Sequence, residues 1–188
     1  MNFGALGRPT GMATPAHIKN LDGYGNPPLD WSRIEARLAE QLPQAPGDGG
    51  PNRHTCWLAT AGPDGAPHVT AVGMLLLDGE PHFTSSPGAR KAHNLARNPA
   101  CTISVATEPF DLVIEGTAAK VTDEASLQRV AAGYNAFGWP ATVVDGALTA
   151  PFNAPSAGPP PYEVYRLTPT TVVAVACAEP FGVTRFRF

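Results

Sequence analysis

The chain carries little charge: 15% of its 188 residues are Asp, Glu, Lys or Arg, and the formal net charge is −3. That balance excludes the broad basic face on which general nucleic-acid binding depends, while a small local basic site is still allowed. Cysteine is scarce. Cys56, Cys101 and Cys177 are widely spaced, with no CxxC pair and no Cys/His cluster, so neither a disulfide framework nor a structural zinc site is indicated. Buried free thiols in a reducing cytosol are the expectation. No apolar run has the length of a membrane span. The opening MNFGALGRPTGMATPAH lacks a continuous apolar signal core. A soluble, cytoplasmic protein with no membrane partner is therefore expected. Catalytic motifs are missing too. His17, His54, His68, His82 and His93 include no i,i+4 pair, and there is no GxSxG, Walker A or GxGxxG run. Chemistry without an evident acid, base or nucleophile points to a cofactor that carries the reaction.

Glycine (19) and proline (21) are abundant, and hydrophobic residues make up 43%, which together predict many turns around a real core and a mainly β fold. Residues 1–28 read as an extended N-terminal coil, and 29–188 as one domain. DWSRIEARLAEQL predicts a helix with a Ser32/Glu35 capping box and an apolar stripe of Trp31, Ile34, Leu38 and Leu42, the pattern of a packed face. PQAPGDGGPN breaks the chain. RHTCWLAT, HVTAVGMLLL, HFTS, CTISVAT and FDLVIEGTAAKVT read as strands, with a bulge at Gly116. ARKAHNLAR reads as a short helix buried through Ala92, Leu95 and Ala96. DEASLQRVAAGYNAF is a helix with Asp123 as its N-cap. Residues 138–160 form a long Pro/Gly/Ala-rich loop, either functional or disordered. YEVYRLTP and TTVVAVAC are two further strands before the terminal FGVTRFRF. Strands in quick succession with short helices between them predict a small β-barrel with helical caps, and they exclude a series of βαβ units.

One stretch, FTSSPGARKAHNLARNP, stands out. Arg90 and Lys91 fall in the first turn of the predicted helix, where the helix dipole disfavours cations. Ser86 is placed as N-cap and Pro87 at the first helical position. The hydroxyls of Thr84, Ser85 and Ser86, the free N–H groups of the turn and the two cations can converge on an anion, most simply a phosphate. The alternative is an exposed turn whose long side chains curl into water. In TRFRF, Arg185 and Arg187 share one strand face, opposite Thr184, Phe186 and Phe188. The pair of arginines either binds carboxylate or phosphate or belongs to a solvated edge strand. Trp139, Phe152, Tyr162 and Tyr165 either line a pocket for a flat ligand or pin the loop.

The run HVTAVGMLLLDGEPHFTSSPGARKAHNLARNPACTISV, with EGTAAKVTDEASL after it, resembles the pyridoxamine 5′-phosphate oxidase-like family of flavin-binding split β-barrels. The resemblance implies a homodimeric, six-stranded split barrel with α caps and cofactor sites at the subunit interface. It implies that Arg90 and Lys91 hold the cofactor phosphate. Phe83, Thr84, Ser85 and Ser86 would line that end. The strand His68, Val69, Thr70, Ala71, Val72, Gly73 would run along the ring, and Arg185 would join the site. TRFRF does not match the C-terminal signature of authentic pyridoxine phosphate oxidases. It is closer to the TRWRF of an actinobacterial branch, with Phe186 in place of Trp, whose members use the deazaflavin coenzyme F-420 or FMN. The implied function is hydride transfer between such a cofactor, the deazaflavin preferred, and a small conjugated substrate. The alternatives are a non-catalytic flavin-, deazaflavin- or haem-sequestering protein, or vitamin B6 oxidase activity. The deazaflavin's lactyl-polyglutamate tail would favour extra cations, for which Lys19, Arg53 and Arg97 are candidates.

Overall fold

The computed structural model describes residues 11–40, 42, 54–154 and 157–188. The break read in PQAPGDGGPN, the cation Arg53 and residues 1–10 of the N-terminal segment lie outside them. The elements, in order, are β1 (His17–Asn20), α1 (Trp31–Ala39), β2 (Cys56–Ala61), β3 (Pro67–Val72), β4 (Leu75–Leu77), β5 (Glu80–Ser85), α2 (Arg90–Arg97), β6 (Ala100–Ala106), β7 (Phe110–Lys120), α3 (Glu124–Ala136), β8 (Thr142–Val144), β9 (Ala147–Thr149), β10 (Glu163–Ala176) and β11 (Val183–Arg187). Among the described residues the fold is mainly β with three helices. Among the described residues no helix is long and apolar enough to cross a membrane.

Every strand pairing is antiparallel. The principal sheet runs β1-β11-β10-β7-β6-β2-β3, and β5 with β4 joins it along the first part of β10. Nine strands therefore share the sheet where six were expected. Two of the additions come from splitting and recruitment. HVTAVGMLLL is not one strand: β3 ends at Val72 and β4 begins at Leu75. The N-terminal coil contributes β1, which pairs with β11 from His17↔Arg187 to Asn20↔Thr184. TRFRF is consequently an interior strand rather than an edge.

Alternation decides which face is buried. On β2, Cys56, Leu58 and Thr60 point inward while Trp57 is half exposed; β6 and β7 repeat the pattern through Ile103, Val105, Leu112 and Ile114. Helix α1 seals one end of the larger core with Trp31, Ile34 and Leu38, and Trp31 tilts against Phe186 at 5.0 Å. Its N-cap is Asp30, which accepts from Ser32 N, so the expected Ser32 cap moves two residues upstream. Helix α3 starts as expected, with the Asp123 side chain accepting from Ser126 N at 2.9 Å.

The last two expected strands are one, β10, of 14 residues. Its register against β7 shifts between Pro169 and Thr171, so the bulged residue is Thr170 and not Gly116. Gly116 faces the bulge. A methyl there would collide with the Thr168 carbonyl oxygen, which explains the glycine. The Asp78-Gly79 turn between β4 and β5 has φ of 53° and 76°, the paired positive values that a two-residue hairpin requires. The long loop at 138–160 holds the small hairpin β8–β9. Trp139 packs edge-on to Tyr134 and donates to Phe152 O at 2.7 Å, and Tyr162 donates to Gly158 O, so these aromatics pin the loop. Of the thiols, Cys56 and Cys101 are buried as expected, with pKa values pushed up by burial to about 12 and about 11, but Cys177 is exposed.

Candidate functional site: unpaired cations beside an open strand

Helix α2 begins at Arg90, later than expected. Its N-cap is Ala89, which offers no side-chain cap, while Ser86-Pro87-Gly88 form the preceding turn, closed by Ala89 N donating to Ser86 O. Ser86 instead donates through its hydroxyl to Ala157 O, and Ser85 donates to Ser86 O at 3.1 Å. The helix is buried through Ala92, Asn94 and Leu95; Ala96 is exposed, against expectation.

Arg90 stands one turn before Asn94, and Lys91 one turn before Leu95. Residues four apart share a helix face, and side chains lean toward the N-terminus, so both cations project along the sheet-facing side. Asn94 fixes the docking by donating to Thr60 Oγ1 at 3.0 Å, and Thr60 donates in turn to His68 O at 3.4 Å. The Arg90 guanidinium reaches the β2–β3 turn, 3.6 Å from where a Gly62 Cβ would stand. Asp64 lies at the same glycine but forms no ion pair with it; among the described residues, neither Arg90 nor Lys91 has an ion-pair partner. Lys91 is half-buried, and desolvation lowers its pKa from the ordinary value. Two cations without an ion-pair partner among the described residues are thus held at the positive end of a helix, with the Asp64 carboxylate near Arg90.

Next to them runs β3, the last strand of the sheet order, with one edge unpaired. Register with β2 puts His68, Thr70 and Val72 on the inner face beside Thr60, Leu58 and Cys56, and Val69, Ala71 and Gly73 toward the outside. His68 Nδ1 is buried and has no partner. Thr84 and Ser85 lie on β5, and Thr84 is partly accessible. The Phe83 ring is fully buried and stacks on Tyr165 at 5.5 Å, so it supports β5 from within the core and does not face a ligand. Arg185 stands apart: along the sheet, β10, β7, β6 and β2 separate it from β3. An open hollow of about 460 Å³ crosses β2, β6 and β7, lined by Ala59, Thr102 and Glu115 among others, and it touches neither Arg90 nor Lys91. Among the described residues no group of three His, Cys, Asp or Glu could hold a metal ion.

Residues 48–176 match the pattern of the pyridoxamine 5′-phosphate oxidase family. The chain belongs to that family. Its fold is similar to that of two solved structures with TM-scores of 0.51. A conserved hypothetical protein of Mycobacterium tuberculosis is 22% identical, with 74% of this chain and 82% of the other covered and a TM-score of 0.51. A protein of Clostridium acetobutylicum related to general stress protein 26 is 16% identical over 71% and 85% of the two chains, also at 0.51. An F420 reductase is 25% identical over 71% and 94%, at 0.45. No curated protein matches the chain. What sequence reasoning missed at this family member's site is Asn94, whose spacing four residues after Arg90 was available as a signal, and the buried His68 ring.

Proposed function

We propose that this family member is a flavin- or deazaflavin-dependent oxidoreductase acting on a small conjugated substrate. The observation that carries the reading is the pair Arg90 and Lys91, without an ion-pair partner among the described residues, on a helix docked through Asn94 to Thr60 of β2, whose neighbour β3 has a free edge. The residues fit a phosphate-bearing ring cofactor. Arg90 and Lys91 take the phosphate, and the partly accessible Thr84 at the end of β5 adds a hydroxyl, while the Ser86 hydroxyl is engaged with Ala157 O. The unpaired edge of β3 offers main-chain groups to the ring, and the partnerless His68 Nδ1 offers one more polar contact. When bound, such a cofactor supplies hydride transfer; the protein supplies binding, orientation and exclusion of water. The resemblance of TRFRF to TRWRF makes the deazaflavin the preferred occupant over FMN.

The site is completed in a homodimer. The outer sheet face leaves Trp57 48% and Val69 56% exposed, and the shallow hollow across β2, β6 and β7 continues it. A second copy laid on this face buries those side chains and brings in an Arg185 that one chain's own sheet keeps away from β3. Light scattering should give twice the chain mass; a monomer at micromolar concentration removes the dimer from the proposal.

The test of function is titration of the purified chain with FMN and with F-420, following fluorescence, then turnover of the reduced complex with conjugated acceptors. Saturable binding of one cofactor, followed by its reoxidation, is the expected result. Binding of neither overturns the reading, and binding without turnover assigns a sequestering role instead.

A further inference from the structure

A smaller cleft, of about 120 Å³, lies between the Asp78-Gly79 turn, the start of α3 and the strands β5 and β10. Neither Arg90, Lys91 nor any residue of β3 lines it, so it is separate from the site described above. Register builds its floor. His82 of β5 stands opposite Arg166 of β10, and Arg166 opposite Ala119 of β7. Directly opposed residues share a sheet face, with Cβ atoms about 5 Å apart. His82 is 5% exposed. Its Nδ1 lies 2.9 Å from Glu80 O, which can only accept, so Nδ1 carries the proton of the neutral ring and Nε2 keeps a lone pair. Among the described residues nothing donates to Nε2, and the ring lines the cleft. Burial lowers the His82 pKa below its ordinary 6.5, against the opposing pull of the Glu80 carbonyl and the Glu80 and Asp78 carboxylates and with the help of the Arg166 charge, so the acceptor persists at neutral pH.

The lining carries three basic groups, Arg129, Arg166 and Lys120, and three acidic ones, Asp78, Glu80 and Asp123. Most of their bonding capacity is spent. Arg129 pairs with Asp78 at 2.8 Å and donates to Ser126 Oγ at 3.4 Å. Glu80 accepts from Thr168 Oγ1 on one oxygen and holds Arg166 Nε at 3.4 Å from the other. Lys120 donates to Glu163 at 2.6 Å, and Asp123 caps α3 through Ser126 N. Two capacities are left side by side. Both Nη groups of Arg166 are without a partner among the described residues, and next to them stands the His82 lone pair.

We propose that this cleft binds a small α-amino acid as its zwitterion, with the carboxylate on the Nη fork of Arg166 and the ammonium donating to His82 Nε2. A guanidinium fork matches a carboxylate bidentately. The group that meets His82 must donate and must sit close to that carboxylate, and an α-ammonium does both. Asp78 and Asp123 supply a negative field for it. A bare anion or a bare cation would instead meet three groups of its own sign. The volume is that of about four waters at ~30 Å³ each, which suits an amino acid the size of alanine and excludes a flat ring system.

The test is calorimetric titration of the full chain with L-alanine, L-lactate and propionate. The three share a shape and differ at the α position, which bears ammonium, hydroxyl or hydrogen. Alanine should bind saturably and about ten- to a hundredfold more tightly than propionate, the worth of one charge-assisted hydrogen bond, with lactate between them. Arg166→Gln, at a half-exposed position, should weaken alanine by about tenfold or more. As pH falls below 6.5, His82 gains a proton and Nε2 turns from acceptor to donor, so alanine binding should fall. That pH dependence, read on the wild type alone, serves if the variant fails to fold. Absence of saturable alanine binding overturns the proposal. So does lactate or propionate binding as tightly as alanine, an alanine affinity equal in wild type and variant, or one that does not fall in acid.

Discussion

The Arg90→Ala/Lys91→Ala double variant should lose cofactor affinity and keep, or slightly gain, stability. A hydrogen bond to a charged group contributes about 1.5–3 kcal/mol, so removing two should cost roughly 3–6 kcal/mol of binding, or about two to four decades in Kd. Stability moves the other way. Each cation opposes the helix dipole by a few tenths of a kcal/mol up to ~1 kcal/mol, and Lys91 is desolvated without a partner. Its lowered pKa means that the unfolded chain binds more protons just below the ordinary lysine value of 10.5, so the ligand-free protein gains stability as pH rises through that window. Fluorescence titration checks the affinity and urea denaturation the stability. An unchanged Kd removes both residues from the site. A large loss of stability shows that they are structural.

Phe83→Ala should be among the most damaging single changes to the fold. The ring is fully buried and stacks on Tyr165 with an interplanar angle of 8°. Truncating a buried phenylalanine costs about 3–5 kcal/mol, a large share of a domain's typical 5–15 kcal/mol. Phe83→Leu, which conserves much of the volume, should cost less than about 1.5 kcal/mol. Urea midpoints should fall in that order with an unchanged m-value. A loss below about 1 kcal/mol for Phe83→Ala would mean that the space refills and that β5 does not depend on this contact.

Local signals were legible in the sequence and partnerships were not. The start of α3 was read correctly because Asp123 caps a donor three residues away. The start of α1 was misplaced because Asp30 competes with Ser32 for the same role, and the better-placed acceptor wins. HIKN carries no alternation of its own and all four residues are exposed, so β1 exists only because β11 offers an edge. The Thr170 bulge was ascribed to Gly116 because the glycine is visible and the extra residue on its partner strand is not. At the site, Arg90 and Lys91 were conspicuous by their position in the helix. The cleft beside α3 was hidden, since His82 and Arg166 are far apart in the chain and become neighbours only through register.

The length of β10 has a consequence for how the domain yields. Its Val164 belongs to the hydrophobic cluster under α3, while Leu167, Val172 and Ala174 belong to the larger one sealed by α1. The same backbone also hydrogen-bonds β5, β7 and β11. A single continuous strand is therefore a shared beam between two cores. Neither core can come apart without tugging on the other, and the hairpin β8–β9, whose Leu148 is buried in the cluster under α3, shares that anchor.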